Sequence, residues 1–243
     1  MIIIGTIRRN LLILRELLNK SYYKIRGFMM EVQKLGLWSS IAATFFGTLF
    51  ITALIMTLIG AIPRPWDTFW QVLPSIFLAW SYMIMMLCFY KTSSENRNVW
   101  SLAGFTFSII YATINSIVYF TILTLVIPGM LNGKSEELSI LLFEPNKFLF
   151  HINGLAYTLM SIAALFSLNA FSSKGNEAKV KWTMLAHGLI APFVGGAVIW
   201  APLTYFGALW IITFPMMGIA AILYFRNYKH CLGGESYARN KVV

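Results

Sequence analysis

Residues 182–225 read WTMLAHGLIAPFVGGAVIWAPLTYFGALWIITFPMMGIAAILYF, 44 consecutive positions without Asp, Glu, Lys or Arg. A hydrocarbon core roughly 30 Å thick takes about 20 apolar residues of helix, because each backbone N–H and C=O inside it must find a partner within the segment. As one helix the stretch would be roughly 66 Å long, about twice what a bilayer accepts. The chain must therefore fold back on itself. The reversal is expected at residues 201–207, where Pro202 and Gly207 lie between Trp200 and Trp210, since Pro interrupts a helix and Gly permits the turn.

Four more charge-free runs precede this one, at 37–62, 69–90, 99–127 and 148–171. Each ends in turn formers or charges: Pro63-Arg64-Pro65, Lys91, Gly129 and Lys174. The predicted fold is all-α, a polytopic bundle of six transmembrane helices. Residues 1–36 form a basic segment before it and 226–243 a basic tail after it. Composition agrees: of 243 residues 58% are hydrophobic and only 12% charged, against about 25% charged in soluble domains.

The net charge of +10 does not point to nucleic acid, because the basic residues sit between apolar runs rather than on one face. They read as topology signals, since short cytoplasmic segments retain Lys and Arg during insertion. Residues 1–36 hold seven, the second loop two, the fourth loop three and the tail four. That places sixteen on one side against three (Arg64, Lys134, Lys147) on the other. Both termini are expected to be cytoplasmic and the location a cell membrane. Seven of the eight Trp fall at expected interfaces, Trp80 being the exception, as the aromatic belt requires.

The first segment is not a secretory signal, because Arg8, Arg9, Arg15 and Glu16 interrupt its apolar residues. Leu11, Leu14, Leu18, Tyr22, Ile25, Met29 and Val32 recur at three- and four-residue steps with basic residues between them. That pattern predicts an amphipathic interfacial helix lying on the anionic cytoplasmic leaflet. A start at Met29 or Met30 would leave ten basic residues against three, and the same topology. Cys88 and Cys231 have no metal-type spacing; Cys231, just past the last span, is at most a palmitoylation site.

The six expected spans contain no ionisable carboxylate or amine. Proton relays, ion sites and retinal Schiff bases place such groups in the membrane, so these functions are not expected. H-E-x-x-H is absent too. His151 and His187 lie near opposite ends of their spans, which argues against a shared haem or metal. No cofactor is expected.

What the spans do contain is a layer of neutral polar groups. Tyr111, Asn115 and Tyr119 follow at four-residue intervals, with Ser108 beside them, and Asn153, Tyr157 and Ser161 repeat the spacing; residues so spaced share a helix face. Trp80 lies halfway along the second span, while Pro192 and Pro215 lie mid-span in the fifth and sixth. Two readings stand. These groups bond one another across helices, or Trp80, Tyr111, Asn115, Tyr157, Pro192 and Pro215 bound a neutral pocket for an apolar or amphiphilic ligand. The leading functional expectation is a non-enzymatic bundle that binds a neutral lipid-like molecule or serves as a membrane partner subunit. The alternatives are an enzyme acting on a lipid or isoprenoid through His151 or His187 and a Tyr, and a facilitator for a small neutral solute.

The segment Trp100-Ser101-Leu102-Ala103-Gly104 with Ile109-Ile110-Tyr111-Ala112 and Tyr119, the run Asn153-Gly154-Leu155-Ala156-Tyr157, and Gly207-Ala208-Leu209-Trp210 with Pro215 resemble a group of small bacterial and archaeal multi-span membrane proteins. The resemblance spans residues 31–227. It implies the fold class and brings no activity with it.

Overall fold

A computed structural model describes residues 2–228, with side chains from Lys20 onward except Tyr22. The tail from position 229, with Cys231, lies outside the described residues, as do the side chains of Leu11, Leu14, Leu18 and Tyr22. All described elements are helical: α1 (Ile2–Leu58), α2 (Trp66–Thr92), α3 (Asn98–Thr121), α4 (Ile127–Leu131), α5 (Phe148–Ser167), α6 (Gly175–Gly188), α7 (Ala191–Gly196), α8 (Thr204–Gly207) and α9 (Trp210–Asn227). Five stretches are long and apolar enough to cross a membrane: Tyr23–Leu58, Trp66–Thr92, Glu95–Leu131, Phe148–Ala170 and Ala201–Asn227. This is the make-up of a helical membrane bundle. No non-helical residue interrupts α1 at position 36, where the amphipathic segment was expected to give way to the first span.

The helix ends follow from the sequence. α1 stops at a glycine in the left-handed region, Gly60 (φ +70). Gly60 N–H reaches the Thr57 carbonyl at 3.0 Å and Ala61 N–H the Met56 carbonyl at 2.9 Å. This pair satisfies carbonyls the helix leaves unpaired. Gly133 (φ +74) ends α4 in the same way, through Met130 and Gly129. Between α3 and α4 the chain widens into a π turn, Ile122–Val126. Pro128 follows one residue later, and the wider turn accommodates a ring that would otherwise strike the carbonyl four residues earlier.

The region expected to be the fifth span departs from a single helix. α6 has 14 residues and α7 only six, separated by Leu189 and Ile190. Pro192 is the second residue of α7, where its missing N–H costs no bond; Phe193 and Val194 both turn back to the Ile190 carbonyl at 3.0 Å. Pro215, by contrast, sits inside a continuous α9. The reversal expected at 201–207 is present, as a 3₁₀ turn (Ala201–Leu203) followed by the single-turn α8.

α2 packs between α1 and α3, α5 lies against α3, and α9 lies against α1 and α6. The core between them is aromatic, with Tyr82, Tyr111, Tyr119, Phe89, Phe214 and Phe225 fully buried. Glycines set the helix separations. A Cβ on Gly36 or Gly47 would run into the rings of Phe225 or Phe214, and one on Gly104 would lie 2.6 Å from the Ala163 carbonyl oxygen. Hydroxyls on the outer faces turn inward along their own helix: Thr48, Thr106, Thr113 and Thr121 each donate to the carbonyl four residues earlier, at 2.8–3.0 Å. That pairing lets them face hydrocarbon.

The two ends of the bundle differ in charge. At one, the basic end, Lys91 lies in the last turn of α2, Arg97 just before α3, Lys174 just before α6 and Arg226 in the last turn of α9, alongside Glu95 and Glu177. At the other, Arg64 pairs with Glu144 across the long connection before α5, and its Nε lies 3.8 Å from Asp67 Oδ2. α2 begins three residues earlier than expected, so it takes in Asp67, which is buried. A carboxylate is favoured in a helix's first turn, and Asp67 Oδ1 accepts the Thr68 N–H at 2.6 Å. It stays at the helix end, away from the bundle centre.

Candidate functional site

The four-residue spacing on α3 turns Tyr111, Asn115 and Tyr119 to one face, and all three are buried. Tyr157 of α5 meets them there. Tyr119 Oη donates to Tyr157 Oη at 3.3 Å, Asn115 Nδ2 donates to Tyr111 Oη at 3.4 Å, and the Tyr111 and Tyr157 rings lie edge to face at 5.8 Å. Tyr82 of α2 completes the cluster, packing edge-on against Tyr111 at 5.7 Å while its hydroxyl donates to the Met160 carbonyl at 3.0 Å. Three of the expected pocket residues, Tyr111, Asn115 and Tyr157, are thus brought together, in a packed layer.

The others lie elsewhere. Trp80 is 46% exposed on the outside of α2, where its Nε1 donates to Ser116 Oγ at 2.9 Å and its ring meets Phe77 edge-on. Pro192 is exposed and Pro215 half-buried. His187 is fully buried, sharing a hydrogen bond with Thr213 Oγ1 at 3.2 Å and facing the Phe214 ring at 5.9 Å. His151 is half-buried beside Phe150.

A cleft of about 240 Å³ opens beside the tyrosine layer, toward the end of the bundle opposite the basic one. Phe50 and Leu54 of α1, Asn153, Gly154 and Tyr157 of α5, Val194 of α7, and Gly207, Trp210 and Ile211 around the start of α9 are among its walls. No ionisable carboxylate, amine or imidazole lines it. Tyr157 is the one residue shared by the layer and the cleft. Trp210 forms the floor: it stacks on Phe214 at 4.8 Å and meets Phe50 and Tyr157 edge-on, each at 5.5 Å.

Two glycines open this space. Gly154 and Gly207 each precede an aromatic, Tyr157 and Trp210, by three residues; within α5 this puts the missing side chain and the Tyr157 ring on one helix face, and Gly207 ends the turn that leads into Trp210. A Cβ on Gly207 would make only ordinary contact with Val194, at 3.5 Å, whereas one on Gly154 would press on Val198 at 3.0 Å. Trp210, Phe50 and Gly207 are site residues that the mid-span search for polar groups misses. The repeated Gly-x-x-aromatic pattern was the signal available for them.

Two polar atoms at the cleft have no hydrogen-bond partner among the described residues, Trp210 Nε1 and Asn153 Oδ1. Among the described residues no group of three His, Cys, Asp or Glu could hold a metal. No protein-family model, curated protein or solved structure matches the chain, so the site is read from its own residues.

Proposed function

We propose that this is a non-enzymatic, six-span cell-membrane protein that holds a neutral lipid-like molecule in the cleft between α1, α5, α7 and α9. The observation that carries the reading is the lining: an aromatic floor, aliphatic walls, a few neutral polar atoms and no charge. Sites of this make-up suit apolar or amphiphilic ligands, and an ionised headgroup would find no counter-charge. The cleft is open rather than sealed, which suits entry from the surrounding bilayer.

The six-span topology treats α6 and α7 together as one crossing. Its support is their course along α5: Gly188 faces Leu165, Gly195 faces Thr158, and Val198 faces Gly154, an antiparallel path over most of the helix. The basic end is then the cytoplasmic one, with the basic segment 1–36 on the same side of the membrane.

The test is purification from membranes in nanodiscs followed by mass spectrometry of retained lipids, for the wild type and for Gly207→Leu, which fills the cleft. A neutral lipid retained near one per chain and lost in the variant supports the reading. Equal retention in both, or bulk phospholipid only, refutes it.

A further inference from the structure

We infer that the groove between α1 and α9 at the basic end is a binding site for an anionic glycerophospholipid, its headgroup phosphate held between Lys34 and Arg226. The groove encloses about 220 Å³ and is lined by Met30, Gln33, Lys34, Leu37 and Arg226. It shares no residue with the cleft, which opens toward the other end of the bundle. The joint beneath it is fixed. Gly36 lets α9 close on α1, since a Cβ there would strike the Phe225 ring, and the buried Gln33 amide donates to the Phe225 carbonyl at 2.8 Å. Lys34 and Arg226 stand beside this joint, one on each helix and both exposed, while Met30 and Leu37 are half-buried.

Charge and depth together select the occupant. Lys34 is the last charge before Arg64, and Arg226 is the first after the uncharged run 182–225. Both cations therefore stand where the apolar runs end, level with lipid headgroups rather than with hydrocarbon. Trp38, one turn further along α1 and 67% exposed, marks the same boundary, as interfacial Trp does. Glu31 accepts from Lys34 at 3.0 Å and is the one carboxylate paired with either cation among the described residues. Two cations against one exposed carboxylate leave the groove net positive, and the Lys34 ammonium keeps two protons to donate. Arg presents a planar fork that matches phosphate oxygens, and Lys adds a point charge. Basic pockets between transmembrane helices at a membrane face suit anionic headgroups for this reason. Leu37 and, four residues on, the exposed Ile41 continue one face of α1 into the apolar run, a track for an acyl chain. A free phosphate would use the cations but not this track, and a zwitterionic headgroup would bring a cation of its own against them.

The experiment titrates the full chain in detergent with palmitoyl-oleoyl phosphatidylglycerol, with the matching phosphatidylcholine and with inorganic phosphate, and counts bound lipid by native mass spectrometry. Phosphatidylglycerol should bind about tenfold more tightly than phosphatidylcholine, the scale that two basic residues at headgroup level confer, and millimolar phosphate should not displace it. Arg226→Gln and Lys34→Gln should each cut the preference to about twofold. Lys91→Gln, which removes a charge at the same end outside the groove, should leave it unchanged, and so should Gly207→Leu in the cleft. Equal binding of the two lipids to the wild type, or an equal loss in Lys91→Gln and Arg226→Gln, overturns the site and leaves only general surface attraction. Loss of phosphatidylglycerol in Gly207→Leu alone overturns it in favour of the cleft. Displacement by inorganic phosphate overturns the lipid as the source of the anion.

Discussion

Gln33 Nε2 donates to the carbonyl oxygen of Phe225 across 2.8 Å, a buried bond between residues 192 positions apart. It closes the bundle, tying α1 to α9. The carbonyl belongs to the last turn of α9, where helix geometry leaves oxygens short of partners, and its other donor is the Tyr228 N–H at 3.4 Å. Gln33→Leu should lower stability by about 1 kcal/mol, read as a reduced melting temperature in detergent. An unchanged melting temperature would show that the bond adds nothing to closure.

Gly47 fits against the Cε1–Cδ1 side of Phe214, whose ring is fully buried and stacked on Trp210 at an interplanar angle of 3°. With Trp210 behind it the ring has nowhere to move. Gly47→Leu should cost about 1–3 kcal/mol through overpacking and also reduce lipid retention, because the displaced stack forms the cleft floor. Retention that survives the loss of stability would separate the floor from this contact.

Gly104 of α3 packs directly against α5, with Ser167 and the Ala163 carbonyl over it. Gly104→Ala should destabilise by about 1–3 kcal/mol. The companion change Ser167→Ala should not restore stability, because the backbone oxygen 2.6 Å from the new Cβ remains. Rescue by Ser167→Ala in a thermal melt would show that the hydroxyl alone sets the separation.

Orientation can be read with an impermeant maleimide on intact cells, after Cys88→Ala and Cys231→Ser remove the native thiols. Ser139 and Ser173 are both exposed, at opposite ends of the bundle. Ser139→Cys should label from outside and Ser173→Cys only after the membrane is opened. Labelling of both from outside would refute cytoplasmic termini.

The helical bundle was legible because long charge-free runs leave the backbone one way to pair in hydrocarbon. The tyrosine layer was legible for a similar reason: four-residue spacing commits Tyr111, Asn115 and Tyr119 to a shared face before any neighbour is known. Trp80 misled because depth along a span says nothing about direction around it. The inward phase of α2 runs through Ser75, Ala79, Tyr82 and Met86, and Trp80 stands off that line. Pro192 and Pro215 look alike in sequence and behave differently. Gly188 before Pro192 and the pair Gly195-Gly196 after it leave α6 and α7 little to hold them in one rod, while Pro215 lies in a helix packed against α1 and α6. The cleft was hidden for the opposite reason to the layer, since it is made by glycines, and an absent side chain carries no polarity to notice.

The break between α6 and α7 bears on how the protein is made. On the six-span reading this crossing is made of 14 helical residues, a two-residue joint and six more, with Lys179 and Lys181 near its start, so a translocon has little reason to release it sideways into lipid by itself. Its favourable surroundings are α5, already synthesised, and α9, which follows it in the chain. The six-span reading therefore expects this segment to insert together with α9, and truncating the chain before α9 should strand it outside the bilayer.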